Sequence, residues 1–132
     1  MNQEIDNLLE EICEKDKRYG RDAYEFVLEA LSFTQKKLRR LKHVTGEELL
    51  GGIRELLFNK FGLMTLPVLR HWGIRSTEDF GNIVFNLVEN RILSKTEDDS
   101  IESFKNGYDF HEAFNVGYRR MLEKKISRMR SF

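Results

Sequence analysis

The stretch from Ser76 to Phe110 constrains this chain more than any other. Ser76-x-x-Asp79 is a helix N-cap signature, and Thr77 and Glu78 fill the first turn that follows it. Phe80, Ile83, Val84, Leu87 and Val88 then recur at i, i+3, i+4, i+7 and i+8, one apolar face of an amphipathic helix that ends near Asn90. Ile92 and Leu93 open an extended run to Thr96, Glu97-Asp98-Asp99-Ser100 makes a polar turn, and Ile101, Ser103 and Phe104 offer a returning strand. Lys105-Asn106-Gly107 provides a competing turn. Helix followed by ribbon is the order of the second half of a winged helix-turn-helix. The expected class is therefore mainly α with a small β-ribbon: a compact five- to six-helix domain, winged-helix-like over 63–110.

The remaining helices are signposted in the same way. Residues 2–16 carry six carboxylates against one lysine, with Ile5, Leu8, Leu9, Ile12 and Cys13 at helical spacing; Lys17 to Gly20 breaks this acidic helix. A second helix is expected from Asp22 to Leu41 on Ala23, Phe26, Val27, Ala30, Leu31, Thr34, Leu38 and Leu41. Its last turns gather Lys36, Lys37, Arg39, Arg40 and Lys42, where cations complement the helix dipole and could also meet phosphate. Thr45-x-x-Glu48 is a capping box that starts a third helix, whose stripe is Leu49, Leu50, Ile53, Leu56, Leu57 and Phe61. Gly51 and Gly52 lie inside it, where they are expected to admit a neighbouring helix at close range. Gly62 is expected to cap this helix in the left-handed conformation. A short fourth helix, Met64 to Trp72, tolerates Pro67 in its first turn and stops at Gly73. Trp72 reads as a packing anchor with His71 on its rim. Tyr108, Phe110, Phe114 and Tyr118 form an aromatic patch leading into a final helix that reaches about Met129.

A chain of 132 residues with one proline and no Gly/Ser-rich segment reads as a single domain over 1–132. Its folded unit spans about 19–114, between an acidic N-terminal helix (1–18) and a basic helical tail (115–132). The single cysteine excludes an internal disulfide and fits a reducing compartment. No apolar run approaches the ~20 residues of a membrane span, and the acidic start lacks the basic and apolar regions of a signal peptide. A cytoplasmic location is the expectation.

AYEFVLEAL (23–31), HVTGEELLGGIRELL (43–57), HWGIRSTEDFGNIVFNLVE (71–89) and LSKTEDDSIESFKNGYDF (93–110) resemble an uncharacterised family of small bacterial proteins of unknown function. The resemblance covers most of 19–114. It implies one folded unit there and carries no activity, cofactor or site residue.

Catalytic and metal motifs are wanting. His43, His71, His111 and Cys13 are scattered with no ligand spacing, and no cofactor or metal is expected. Cys13 lies on an apolar face, as a small core residue does. Glu97, Asp98 and Asp99 lack the D-x-D-x-D-G pattern of a calcium loop and read as a solvated turn. An enzyme is not indicated.

Charge argues against DNA reading by the Ser76 helix. Its outward positions, expected to be Thr77, Glu78, Asp79, Asn82, Asn86 and Glu89, hold no cation, and residues 94–112 carry six carboxylates against two lysines. A duplex would meet like charge on both reading elements. The expectation is a protein-interaction or self-associating domain whose acidic face, Glu78, Asp79, Glu97, Asp98 and Asp99, meets a basic partner, with the basic tail of a second copy as one such partner. The alternative is a winged-helix transcriptional regulator touching phosphates through Lys36, Lys37, Arg39, Arg40, Arg119, Arg120, Lys124 and Lys125. A membrane is not an expected partner.

Overall fold

The computed structural model describes residues 3–39, 43–94 and 101–129, and among them the backbone is helical with no strand. α1 (Gln3–Lys15) buries Leu9 and Ile12. α2 (Arg21–Leu38) buries Ala23, Tyr24, Phe26, Val27, Ala30 and Thr34 along one face. It ends at Arg39, whose left-handed backbone (φ 57°) turns its N–H onto the Gln35 and Lys36 carbonyls, short of the expected end at Leu41.

α3 (Gly46–Phe61) begins as its capping box dictates: Glu48 N–H donates to Thr45 Oγ1 at 3.1 Å, and Thr45 N–H donates to Glu48 Oε1 at 3.0 Å. Gly62 takes a positive φ of 51°, but its ψ of −125° is not left-handed helix. It opens a 3₁₀ turn, Gly62–Met64, that feeds α4 (Thr65–Trp72). Gly73, at φ 83°, stops α4 where expected, and does so as a left-handed cap. Trp72 packs 5.3 Å from Phe26 and 5.7 Å from Phe61 between ring centroids, an anchor as its position before the glycine implied.

α5 (Thr77–Glu89) lies against α2 and α3, and its Phe80, Ile83 and Leu87 are fully buried. They share one apolar cluster with Val27, Ile53, Leu57, Leu69 and Phe114. A chain of rings, Phe80–Phe110 at 6.0 Å, Phe110–Phe114 at 5.6 Å and Phe114–Phe58 at 5.5 Å, carries that cluster toward α6 (Gly117–Met129). A π-helical turn, Glu112–Val116, precedes α6.

The expected β-ribbon, and with it the winged-helix reading of 63–110, needs correction. After α5 the chain folds back rather than extending: Ile92 and Leu93 N–H both reach Leu87 O, at 2.9 and 3.2 Å, over a left-handed Arg91 (φ 61°). Ile101–Phe104, expected as the returning strand, is a 3₁₀ turn. Phe104 is buried over the flat backs of Gly46 and Gly81. Thr77 closes the arrangement, donating its hydroxyl to Phe104 O at 2.6 Å and accepting Gly107 N–H at 3.1 Å. The Ile92 and Leu93 N–H groups are thus taken by a helix end, and the Phe104 carbonyl by a side chain, rather than by a neighbouring strand. The acidic turn 97–100 lies outside the described residues.

The paired glycines of α3 divide the role assigned to them jointly. A Cβ on Gly52 would sit 1.7 Å from Thr34 Oγ1 of α2, so Gly52 permits the close approach, whereas a Cβ on Gly51 meets nothing within 4 Å. Gly52→Ala is expected to lower stability by about 1–3 kcal/mol through overpacking. Gly51→Ala should raise it by roughly 0.5–1 kcal/mol through helix propensity alone. Urea unfolding of the two variants checks the opposite signs.

Candidate functional site

Three polar side chains of α5 expected to face solvent, Asp79, Asn82 and Asn86, are engaged within the protein. Asp79 Oδ1 accepts the Tyr19 hydroxyl at 2.5 Å, while Oδ2 accepts Arg75 N–H at 2.7 Å and Ser76 N–H at 3.2 Å. Asn82 Nδ2 donates to Tyr19 Oη at 3.0 Å. One turn on, Asn86 Nδ2 donates to both Asp16 Oδ2 and Tyr24 Oη at 2.9 Å. Together these bonds form a polar seam between α5 and the connection joining α1 to α2, with Tyr24 from the first turn of α2. Burial and the Asp79 hydrogen bond push the Tyr19 phenol up to about 12, so it stays a donor across the physiological range.

This seam takes one carboxylate, Asp79, out of the acidic face. Asp79 is consumed internally and Thr77 is buried, leaving Glu78, Phe85 and Glu89 as the exposed stripe of α5. Glu97, Asp98 and Asp99, with Arg40 from the cationic set, lie outside the described residues. Lys36, Lys37 and Arg39 are exposed at the end of α2, and Lys37 forms an ion pair with Glu55 of α3. Arg119, Arg120, Lys124 and Lys125 are exposed on α6.

α6 is the anomalous element. Among the described residues it buries none, yet Leu122, Ile126 and Met129 stand at i, i+4 and i+7, and Met121 flanks them. Ile126 is 58% exposed and Met129 75%. Its tie to the body is at its start, where Tyr118 packs 5.4 Å from Phe58.

Two concavities matter among the described residues. One, of about 500 Å³, lies between α2, the end of α3 and α4; Asp22, Glu25 and Glu29 rim it and Phe61, Val68 and Trp72 line it. Exposed His71 sits on the same rim. The other, of about 720 Å³, lies where the α1–α2 connection meets the α4–α5 turn, with Arg18, Arg70 and Arg75 in its wall. Sequence reasoning missed this second site, because its three arginines are far apart in the chain and follow no motif. The α4–α5 turn, with Gly73 as its landmark, was the only local signal.

No group of three or more His, Cys, Asp or Glu among the described residues could hold a metal ion. Cys13 is half-buried, and burial pushes its thiol up, away from the thiolate a nucleophile requires. No helix among the described residues is long and apolar enough to cross a membrane. No family model, curated protein or solved structure matches the chain, so no activity or site residue reaches it by likeness.

Asp16 makes the seam sensitive to acid. Hydrogen bonds from the Arg18 guanidinium, at 2.7 to 3.2 Å, hold its carboxyl well below the usual carboxylate range, and Asn86 adds to them. A depressed folded-state value contributes stability above the unfolded value of about 4 that is lost as pH falls through the folded one. Asp16→Asn is therefore expected to cost about 1 kcal/mol at neutral pH, the scale of a partly solvated bidentate pair. The deficit should shrink progressively below about pH 4. Urea unfolding at neutral pH and at pH 3 checks it; an equal deficit at both would contradict the assignment.

Proposed function

We propose that this chain is a non-enzymatic protein-interaction domain that associates with a second copy of itself, with α6 as the contact element. One observation carries the reading: a 13-residue helix of this protein leaves its apolar stripe in water. So short a helix is marginal in isolation, and docking its apolar face is what would stabilise it. The helix also carries Arg119, Arg120, Lys124, Lys125 and Arg128 against Glu123.

A surface of matching chemistry exists on the same chain. The α2–α4 cleft combines the carboxylates Asp22, Glu25 and Glu29 with apolar Phe61, Val68 and Trp72; Glu29 pairs with Lys60 of the same lining and Glu25 with Arg21, which leaves Asp22 without an ion-pair partner among the described residues. Met129 and Ile126 suit its lining, and the α6 cations suit its rim. Reciprocal docking of α6 from each copy into the cleft of the other would close a two-fold dimer. This moves the proposed contact away from the acidic face of α5, since Asp79 is already taken up in the seam.

The regulator reading draws support from the exposed cations of α6 and loses support at α5, whose Asn82 and Asn86 amides are engaged within the protein. Binding of random duplex DNA that weakens steeply with salt would favour it.

Light scattering across a concentration series tests self-association. The 15.7 kDa chain is expected to reach twice that mass, with the dimer weakened by salt. Ile126→Glu with Met129→Glu should hold the protein at monomer mass, and Asp22→Lys should weaken association. A wild-type protein that stays monomeric throughout, or a dimer untouched by the α6 substitutions, would refute the proposal.

A further inference from the structure

We propose that the concavity lined by Arg18, Tyr19, Arg70, Gly73, Arg75 and Asp79 binds a dianionic phosphoryl group carried by a small molecule. It is independent of the dimer reading.

The two loops that carry Arg18 and Arg75 are held in fixed relation, and Arg70 stands in the last turn of α4 beside them. A Cβ on Gly73 would lie 2.1 Å from Arg18 O, so the α4–α5 turn rests directly on the backbone before α2. Gly20 N–H donates to Trp72 O at 3.2 Å, a second tie between the same segments. The Tyr19–Asp79 hydrogen bond is a third. Arg18 is oriented as well: Asp16 grips its Nε and Nη2, and its guanidinium carbon lies 5.1 Å from the Tyr19 ring centroid. Its Nη1 has no hydrogen-bond partner among the described residues.

The charges of this wall are unbalanced in a way an anion would correct. Arg18 has Asp16, but the exposed guanidiniums of Arg70 and Arg75 have no ion-pair partner among the described residues. Asp79, the one carboxylate in the lining, keeps its charge, but both its oxygens are turned to Tyr19 and the Arg75 and Ser76 backbone rather than to a guanidinium, and the lining's three arginines outnumber it. Two guanidiniums without an ion-pair partner and the free edge of a third offer donors that match three terminal phosphoryl oxygens better than the two of a carboxylate. The concavity, about 720 Å³, is of small-molecule size.

Calorimetric titration of the full chain tests the site, with inorganic phosphate and glycerol 2-phosphate as probes and ionic strength matched with chloride. Saturable binding is expected, and preference between the two probes distinguishes the free ion from a phosphate ester. Arg70→Gln with Arg75→Gln, at exposed positions, should weaken binding by at least about tenfold. Lys105→Gln, which removes a charge elsewhere, should change it by less than about twofold. Far-UV circular dichroism confirms that each variant is folded. No saturable heat with either probe, or equal affinity in the double variant, would overturn the proposal, as would an equal loss in Lys105→Gln. Failure of both probes beside duplex DNA binding that the double variant abolishes would replace it with nucleic-acid backbone contact.

Discussion

The polar seam between α5 and the α1–α2 connection is the contact on which the rest of the architecture depends. Phe80, Ile83 and Leu87 bind α5 to the core on one side, and truncating any such buried residue typically costs about 2–5 kcal/mol. On the other side Asp79, Asn82 and Asn86 satisfy Tyr19, Tyr24 and Asp16, buried or half-buried groups that would each be costly to leave unpaired. Thr77 extends the same logic to a third neighbour by holding the 104–107 backbone. A helix enclosed this way is a scaffold element. It has no outward row of donors with which to read a groove, whatever its position in the chain order.

That enclosure explains which parts of the fold were legible. Helix ends follow from local chemistry, so Thr45 with Glu48, Asp79 reaching back to Ser76, and Gly73 all do what their residue types imply. The apolar faces of α2, α3 and α5 were equally plain, since period alone reveals them. The ribbon misled because Ile101-Glu102-Ser103-Phe104 is too short to distinguish a strand from a 3₁₀ turn. What decides it is tertiary: a flat seat made by Gly46 and Gly81, and a threonine hydroxyl from another element. Periodicity assigned Asp79, Asn82 and Asn86 to solvent because they are polar. It cannot see that Tyr19 and Tyr24 wait opposite them.

The candidate surfaces were legible to different degrees for the same reason. The basic character of α6 and its apolar positions could be read directly, although its lack of burial could not. The acidic rim of the α2–α4 cleft and the arginine concavity both join residues remote in sequence, and only the folded chain brings them together. In both, the fixed scaffold sets the geometry: Trp72 packs on Phe26 and Phe61 at one, and the α4–α5 turn rests on Arg18 at the other.

Hydrogen exchange of backbone amides, followed at two protein concentrations, tests most directly the claim that α5 is the fixed scaffold and α6 the working surface. Amides of α5 and the middle of α2 should exchange slowest at both concentrations, near the limit of global unfolding. Those of α6 should exchange fast in dilute solution and slow as concentration rises. Slow, concentration-independent exchange in α6, or early exchange in α5, would contradict the account.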